Sequence, residues 1–426
     1  MDRLHRGFEN HGTCPCARLN GTLIHPMRER HLIAFLTTVQ FVHMVDFVMM
    51  MPLGPMLMRD LNIGTREFSW LVSSYTFAAA VSGVLAGFII DRFDRRRLIV
   101  PLLVLFSLAT MACAWAPTLE WMIVVRAAAG FFGGALGTLT MAIVPDAISP
   151  ERRGRALGVV MASFSIASIV GIPIGMTLAV QQGWHAPFLW LGVVGLAVGG
   201  WAAVAFPVMA THIHTQRPSP WSTLVAVFSV PTHWRAFALS VSLVLAGFTV
   251  IPFISPYLVG NLGFRDDQLQ YVYLTGGIAS VVTSPLIGRL ADRWGARSIF
   301  AIVALCSVVP LLLITHLPPV GVASALVVTV IFIVFISGRF VPAMTLITNN
   351  VEPRLRGSFM GFHSAIQSLA MGLAAQIAGY LVTKAADGSI EHYPRVGWLA
   401  AGFTMVSVAV ALTIRPHPPQ KNSSSS

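Results

Sequence analysis

The sequence predicts an all-α membrane protein, with twelve transmembrane helices in two pseudo-symmetric six-helix bundles. Three observations carry that prediction. Of the 426 residues, 55% are hydrophobic and only 11% charged, against about 25% charged in an ordinary soluble chain, which argues against a water-soluble globular enzyme. Uncharged apolar runs of roughly 20 residues, the length that crosses a bilayer as a helix, recur about twelve times. Finally, the second half of the chain repeats landmarks of the first at a constant offset.

The runs lie near 31–57, 68–90, 98–116, 120–145, 155–181, 184–208, 233–260, 271–292, 298–317, 320–346, 358–384 and 394–414. Each is too long for a barrel strand and lacks strict alternation, so helices, which satisfy their own backbone polar groups, are the economical way across. With the N-terminus inside, 21 of the 28 Lys and Arg fall in inner loops and tails, five in outer loops (Arg59, Arg66, Arg265, Lys384, Arg395) and two within spans (Arg126, Arg339). That bias fits the positive-inside rule and rejects the opposite orientation. It also absorbs the net charge of +11 and leaves no basic patch for nucleic acid. The expected setting is a plasma membrane of the bacterial inner-membrane type, with both termini cytoplasmic.

Residues 1–30 read as a polar cytoplasmic tail, and the run that follows is too long for a signal-peptide core and has no small-residue cleavage site. Met27 stands just before the first helix as an alternative translation start, so whether residues 1–26 are translated stays open. Cys14 and Cys16, with His11 nearby, fall short of a four-ligand zinc site, and Cys113 and Cys306 sit alone in separate spans. No metal or other cofactor is expected. The organisation is then a tail (1–30), an N-terminal bundle (31–209), a central loop (210–232) with a short interfacial helix at 221–230, a C-terminal bundle (233–414) and a tail (415–426).

The repeat shows best in two inner loops. One reads Gly87-Phe-Ile-Ile-Asp91-Arg92-Phe-Asp94-Arg95-Arg96-Arg97 and the other Gly288-Arg289-Leu-Ala-Asp292-Arg293-Trp-Gly295-Ala-Arg297, with Gly87 to Gly288 and Asp91 to Asp292 both offset by 201. Phe47 and Phe248, Pro55 and Pro256, and Leu61 and Leu262 share that offset. At these residues the chain resembles the major facilitator superfamily, whose loop signature is G-x-L-A-D-R-x-G-R-R/K. The second copy follows it closely, whereas the first has Asp94 where the family usually has Gly. The resemblance covers nearly the whole chain and implies alternating access of two six-helix halves about a midplane site.

Opposite charges at the end of a helix can lock against a neighbour, so the two loops read as a conformational latch: Gly87, Asp91, Arg92, Arg95, Arg96, Gly288, Asp292, Arg293 and Arg297, with Asp146 as the natural partner of Arg95. The resemblance implies that this latch binds the halves together in the outward-open state, near the N-terminal end of the eleventh helix. Fixing topology alone is the blander role for the same arginines.

A charge within the bilayer must face a partner or a water-filled cavity. Arg126 opens a small-residue stripe that continues through Gly130, Gly133 and Gly137, similar to the family's R-x-x-Q-G signature but with Ala129 for Gln. Its expected partner is Asp46, about 16 Å from the outer end of the first span against about 10 Å for Arg126, a gap that an Arg side chain can bridge. Asp46 aligns with Gly247 under the repeat, so the acid is not part of the duplicated scaffold. The resemblance implies that the first and fourth helices line the cavity and often carry a proton-bearing acid. An acid that moves between two environments can take up and give off a proton, which assigns proton coupling to Asp46 and Arg126 with His43 as relay; a permanent salt bridge and a packing histidine are the alternatives. Gln40 shares the face of His43 and Asp46.

Gly171-Ile-Pro173-Ile-Gly175 resembles the family's antiporter motif, although the Gly and Pro are separated and the final Gly pair is missing. Such a stretch bends a helix and packs it closely against its neighbour. In the second half, Arg339 fits either an anionic substrate group or the inner-loop acids, and His363 and Gln367 form a polar face on the eleventh span, with Gln376 further along. These and Gln40 are candidate cavity residues. Six methionines in the first span (Met44, Met49, Met50, Met51, Met56, Met58) read as core first and pocket second.

The sequence thus predicts a monomeric secondary transporter that moves small organic molecules out of the cell in exchange for protons. The absence of a P-loop argues against ATP as the driving force. Proton-coupled uptake of an organic acid is the alternative; a membrane-embedded enzyme lacks H-E-x-x-H, histidine boxes and a nucleophile elbow, and a sensor lacks a signalling domain. Lipid, protons and a small-molecule substrate are the expected partners.

Overall fold

The first apolar run folds as α1 (Glu29–Met49), then turns at Pro52 and resumes as α2 (Gly54–Asp60). Proline cannot supply the amide that the helix needs there, but it is welcome at the first helical positions, which is where Pro55 stands. The seventh run breaks at the repeat-equivalent place, into α11 (Pro231–Phe248) and α12 (Ile251–Leu262), again with a proline, Pro252, at the restart. The protein was analysed as a computed structural model describing residues 29–206, 220–351 and 355–414. The tail cysteines and His11 lie outside the described residues, as does the side chain of Asp91.

The other N-half crossings are α3 (Thr65–Ile89), α4 (Arg95–Cys113), α5 (Leu119–Ala147), a fifth made of α6 (Pro150–Met161), α7 (Ser163–Ile166), a π-type turn (Ala167–Gly171) and α8 (Ile172–Gln182), and α9 (His185–Ala205). A short α10 (Pro220–Phe228) precedes the C half, whose remaining crossings are α13 (Leu269–Trp294), α14 (Ala296–Thr315), α15 (Val322–Gly338) with α16 (Phe340–Asn349), α17 (Arg356–Leu381) and α18 (Tyr393–Thr413). Among the described residues, eleven crossings are long and apolar enough to span a membrane by composition alone. The twelfth, α17, has the length but carries His363, Gln367 and Gln376, and it lies along α3 of the other half.

Within the N half α3 packs on α5, and α4 on α5 and α9; within the C half α11 and α14 pack on α18, and α13 on α15. The halves meet where α3 lies against α17 and where α13 lies against α8 and the π-type turn. Those two seams are exchanged by the 201-residue repeat, so the sequence duplication is a pseudo-two-fold axis in space. The apolar core follows the same logic. At the arginine-poor end one continuous cluster joins both halves, from Met50, Met51 and Phe68 to Phe253 and Leu269, whereas at the arginine-rich end the clusters keep within the halves, one in the N half and two in the C half. Met49, Met56 and Met58 are buried in the shared cluster as well.

A two-stranded hairpin, β1 (Thr383–Lys384) with β2 (Ile390–Glu391), turns at Asp387-Gly388 with Gly388 at φ 87°. Asn261 pins it to α12 by accepting from Ile390 N at 2.8 Å and donating to Ile390 O at 3.1 Å.

Candidate functional site

Gln40, His43 and Asp46 fall at three-residue spacing on α1 and therefore share a face. Opposite them, α5 presents Arg126 and its glycines. Arg126 Nη1 donates to both oxygens of Asp46, at 3.1 Å each, and both side chains are 0% exposed. Beneath the guanidinium lies the ring of Tyr75, 4.5 Å away, with the Phe188 ring at 5.9 Å on another side. Gly130 explains the first of these contacts. It is one helical turn below Arg126, and any Cβ there would collide with the Tyr75 backbone, so only glycine lets α3 approach closely enough to slide the ring under the cation.

His43 occupies the next level down the stripe. Its ring sits 6.3 Å from Tyr75 and 5.9 Å from Phe106, over Gly133, where a Cβ would crowd it, and Gly137, where a Cβ would only touch it. The cluster is under-satisfied. Arg126 Nε and Nη2, Tyr75 Oη, His43 Nδ1 and Gln40 Oε1 are all buried without a hydrogen-bond partner, while the Thr110 hydroxyl faces Asp46. A cation that spends only one of its nitrogen groups on its counter-ion can re-form bonds when the carboxylate changes charge. Sequence reasoning missed Tyr75 and Thr110, because a tyrosine or threonine in an apolar run carries no distinguishing signal; Gly130, four residues after an in-span arginine, was the available one.

Gly171 and Gly175 pack against Val45 and Met49, the residues that bracket Asp46 on α1, and a Cβ at either would collide with them. Pro173 stands between them, just after the π-type turn. The antiporter-like stretch thus seats the acid-bearing helix.

At the arginine-rich end, Arg95 is buried and donates to Asp146 Oδ2 from Nη2 (2.7 Å) and Nε (3.0 Å), and to the Ile90 carbonyl (2.8 Å), joining the ends of three crossings. Asp94 caps α4 by accepting from Arg96 N at 2.9 Å, a reason for an acid where the family pattern has glycine. Arg96 donates to the Ala203 carbonyl, and Arg297 to that of Leu412. Arg92, Asp292 and Arg293 are exposed, and Gly288 approaches Val341 while Gly87 has open space above it.

The hydrogen bonds that cross between the halves, among the described residues, gather at the opposite end. Arg59 pairs with Asp266 at 2.7 Å, Thr65 donates to the Val382 carbonyl at 2.6 Å, Arg66 to Tyr380 Oη at 3.0 Å, Thr177 to Gln270 at 3.2 Å and Lys384 to the Met58 carbonyl at 3.2 Å. Gln376 donates to Ser73 slightly deeper. Together with the split core, this describes a molecule sealed at its arginine-poor end.

Arg339 lies inside the tenth crossing, at the junction of α15 and α16, where the helical bonds Arg339 N to Phe335 O and Ala343 N to Arg339 O run through, and its observed partners include no inner-loop acid. Its Nη1 donates to Ser307 Oγ (3.3 Å) and Thr404 Oγ1 (3.2 Å), and Nη2 to the Leu243 carbonyl (3.3 Å), while Nε has no partner. Three helices of the C half share a buried cation that no carboxylate balances among its observed contacts. His363 is buried beside Phe359 with Nε2 unpartnered, and Gln367 is half-buried nearby on α17.

The model of the Major Facilitator Superfamily matches residues 36–251 and 236–426. The chain belongs to that superfamily. It is 25% identical to the uncharacterized MFS-type transporter YbcL of Bacillus subtilis (strain 168), over 85% of this chain and 90% of that one. It is 26% identical to a chloramphenicol resistance protein of Streptomyces lividans, over 86% and 92%. Among solved structures it resembles the nucleoside transporter NupG at a TM-score of 0.71, with 14% identity over 90% of this chain and 99% of that one. The superfamily member described above is accordingly an integral, multi-pass membrane transporter.

Proposed function

We propose that the protein is a proton-coupled exporter, an antiporter that moves small organic compounds out of the cell by alternating access. The supporting observation is the Asp46–Arg126 pair, fully buried and only partly satisfied. A proton arriving on an Asp46 oxygen cancels the carboxylate charge that Arg126 Nη1 holds. The guanidinium then keeps the Tyr75 ring and its unpartnered Nε and Nη2, and α1 is freed from α5 at that level. Loss of the proton to the other side restores the pair and returns the helices. His43 lies along the same stripe toward the arginine-rich end and serves as relay. Arg95–Asp146 and the signature loops hold the inner ends as the halves rock, with both termini cytoplasmic in a bacterial inner membrane and the monomer as the working unit. A relative named for chloramphenicol resistance supports lipophilic drugs as the first compounds to try.

The test is proton movement in energised inverted vesicles bearing the native protein or Asp46→Asn, screened with chloramphenicol, lipophilic cations, sugars and organic acids. Addition of a substrate should release protons from the acidified lumen, and Asp46→Asn should abolish the release. Equal release by the variant would remove Asp46 from the mechanism. Co-entry of an organic acid with protons would replace antiport by symport.

A further inference from the structure

We propose that a groove between α11 and α18 at the arginine-rich end is a binding site for one anionic phospholipid of the adjoining leaflet. The groove, about 390 Å³, is lined by Trp234, Arg235, Ala238, Ala409, Val410 and Thr413. It arises because both helices present alanine at the crossing: Ala238 one turn beyond Trp234, and Ala409 one turn before Thr413, leave a trough where larger residues would interlock.

Its chemistry changes along its length as a phospholipid's does. Arg235 is exposed at the mouth, held by a bond from Nη1 to the Thr413 carbonyl at 3.3 Å. A guanidinium has five donors in a fork suited to phosphate oxygens, so one long bond to a carbonyl leaves it able to hold a headgroup. Trp234 stands beside it, 55% exposed, anchored by a bond from Nε1 to the Phe228 carbonyl at 2.9 Å, an amphipathic ring at the depth where interfacial tryptophans sit. Ala238 lies one turn further along α11, about 6 Å deeper, where the lining is apolar and the hydrocarbon begins. Cation and interfacial aromatic, side by side at the mouth, thus give way to an apolar trough, as a phospholipid's phosphate and glycerol give way to its acyl chain. Arg297, bonded to the Leu412 carbonyl on the same helix end, adds positive charge nearby. A zwitterionic lipid fills the trough equally well but gains less from the cation, so the site selects for negative charge.

The test uses bromine quenching of Trp234 in proteoliposomes of dioleoylphosphatidylcholine containing a rising fraction of either dibrominated phosphatidylglycerol or dibrominated phosphatidylcholine. The signal is the native fluorescence minus that of Trp234→Phe, which removes the other nine tryptophans. Half-quenching should require about fivefold less brominated phosphatidylglycerol than brominated phosphatidylcholine. Arg235→Gln should erase that preference and Arg235→Lys should keep it, which separates charge from folding. Ala238→Phe should weaken quenching by both lipids. Equal half-quenching in the native protein, or a preference that survives Arg235→Gln, would overturn the proposal.

Discussion

Replacing Asp46 and Arg126 singly and together separates a fixed salt bridge from a proton-carrying one. Both side chains are fully buried, and Nη1 lies 3.1 Å from each carboxylate oxygen. At that separation and an effective dielectric constant near 20, the attraction is about 5 kcal/mol. Neutralising one partner strands the other charge in the bundle, at a cost of about 3–5 kcal/mol. Asp46→Asn and Arg126→Gln should each lower the free energy of unfolding by about that amount, whereas the double variant, two amides able to bond each other, should lie within about 1 kcal/mol of native. Unfolding by SDS in mixed micelles measures all four proteins, and the coupling is the double loss minus the two single losses. Transport then supplies the decisive contrast. A purely structural pair predicts that the double variant regains gradient-driven transport along with its stability. A proton-carrying Asp46 predicts a stable double variant that exchanges substrate yet ignores a pH gradient. Gradient-driven transport by the double variant at the native rate would refute the proton role, and a coupling under about 1 kcal/mol would refute the energetics.

Gly130→Ala should destabilise by about 1–3 kcal/mol, because its methyl group meets Tyr75 backbone that cannot yield, while Gly137→Ala, 3.5 Å from His43 Cε1, should be neutral or stabilising through helix propensity; thermal unfolding of the pair decides, and equal shifts would contradict the close-approach argument. Gly379→Val should wedge α17 away from Ser69 and the Thr65 carbonyl, raising labelling of a cysteine placed at the arginine-poor seam and lowering transport; unchanged labelling would mean that this seam is not the seal. At Gly247 a Cβ would stand 3.4 Å from Arg339 Nη2, so Gly247→Asp should cost at least about 2 kcal/mol less in the native background than beside Arg339→Leu, and equal costs would show that Arg339 does not need a counter-charge.

The fold was legible because it is written in long apolar runs and a repeated loop, signals that survive without any tertiary information. The Asp46–Arg126 contact was legible for a related reason: few charges enter the spans, and helical rise alone puts these two at bridging depth. Arg339 was equally conspicuous, yet its surroundings were not. Its partners Ser307, Thr404 and the Leu243 carbonyl come from three other helices, and hydroxyls in membrane helices bond their own backbone so readily that nothing in the sequence marks which ones also receive a cation. The seam residues Arg59 and Asp266 are 207 positions apart, one at the end of the short α2 and the other in the 3-10 turn before α13, and no helical spacing relates them. The break at Pro52 could have been read from proline chemistry, but the counterpart between Phe248 and Ile251 comes without a proline in the turn itself and follows only once the repeat is applied.

The placement of strong and weak bonds fits a machine of two stiff halves. Inside the N half, Asp46–Arg126 and Arg95–Asp146 involve side chains that are almost wholly buried, with exposures of 0% and 0%, and of 1% and 17%. Such bonds are expensive to break and hold helices in a fixed relation as the half moves. Across the seam the ion pair Arg59–Asp266 is 57% and 19% exposed, and pairs of that kind contribute at most about 1 kcal/mol. A handful of such contacts is enough to favour the sealed state and few enough to be undone within a transport cycle. The asymmetry between halves sharpens the point. Both halves have an in-span arginine reaching toward position 46 or its repeat equivalent 247, although Arg126 and Arg339 are not themselves related by the repeat, and only the N half supplies an acid there. Any event that changes charge at that position, as proton binding does, therefore acts on one half alone. A symmetric pair of acids would shift both halves together and leave their relative energy nearly unchanged; a single acid biases one against the other, which is what rocking about a seam requires.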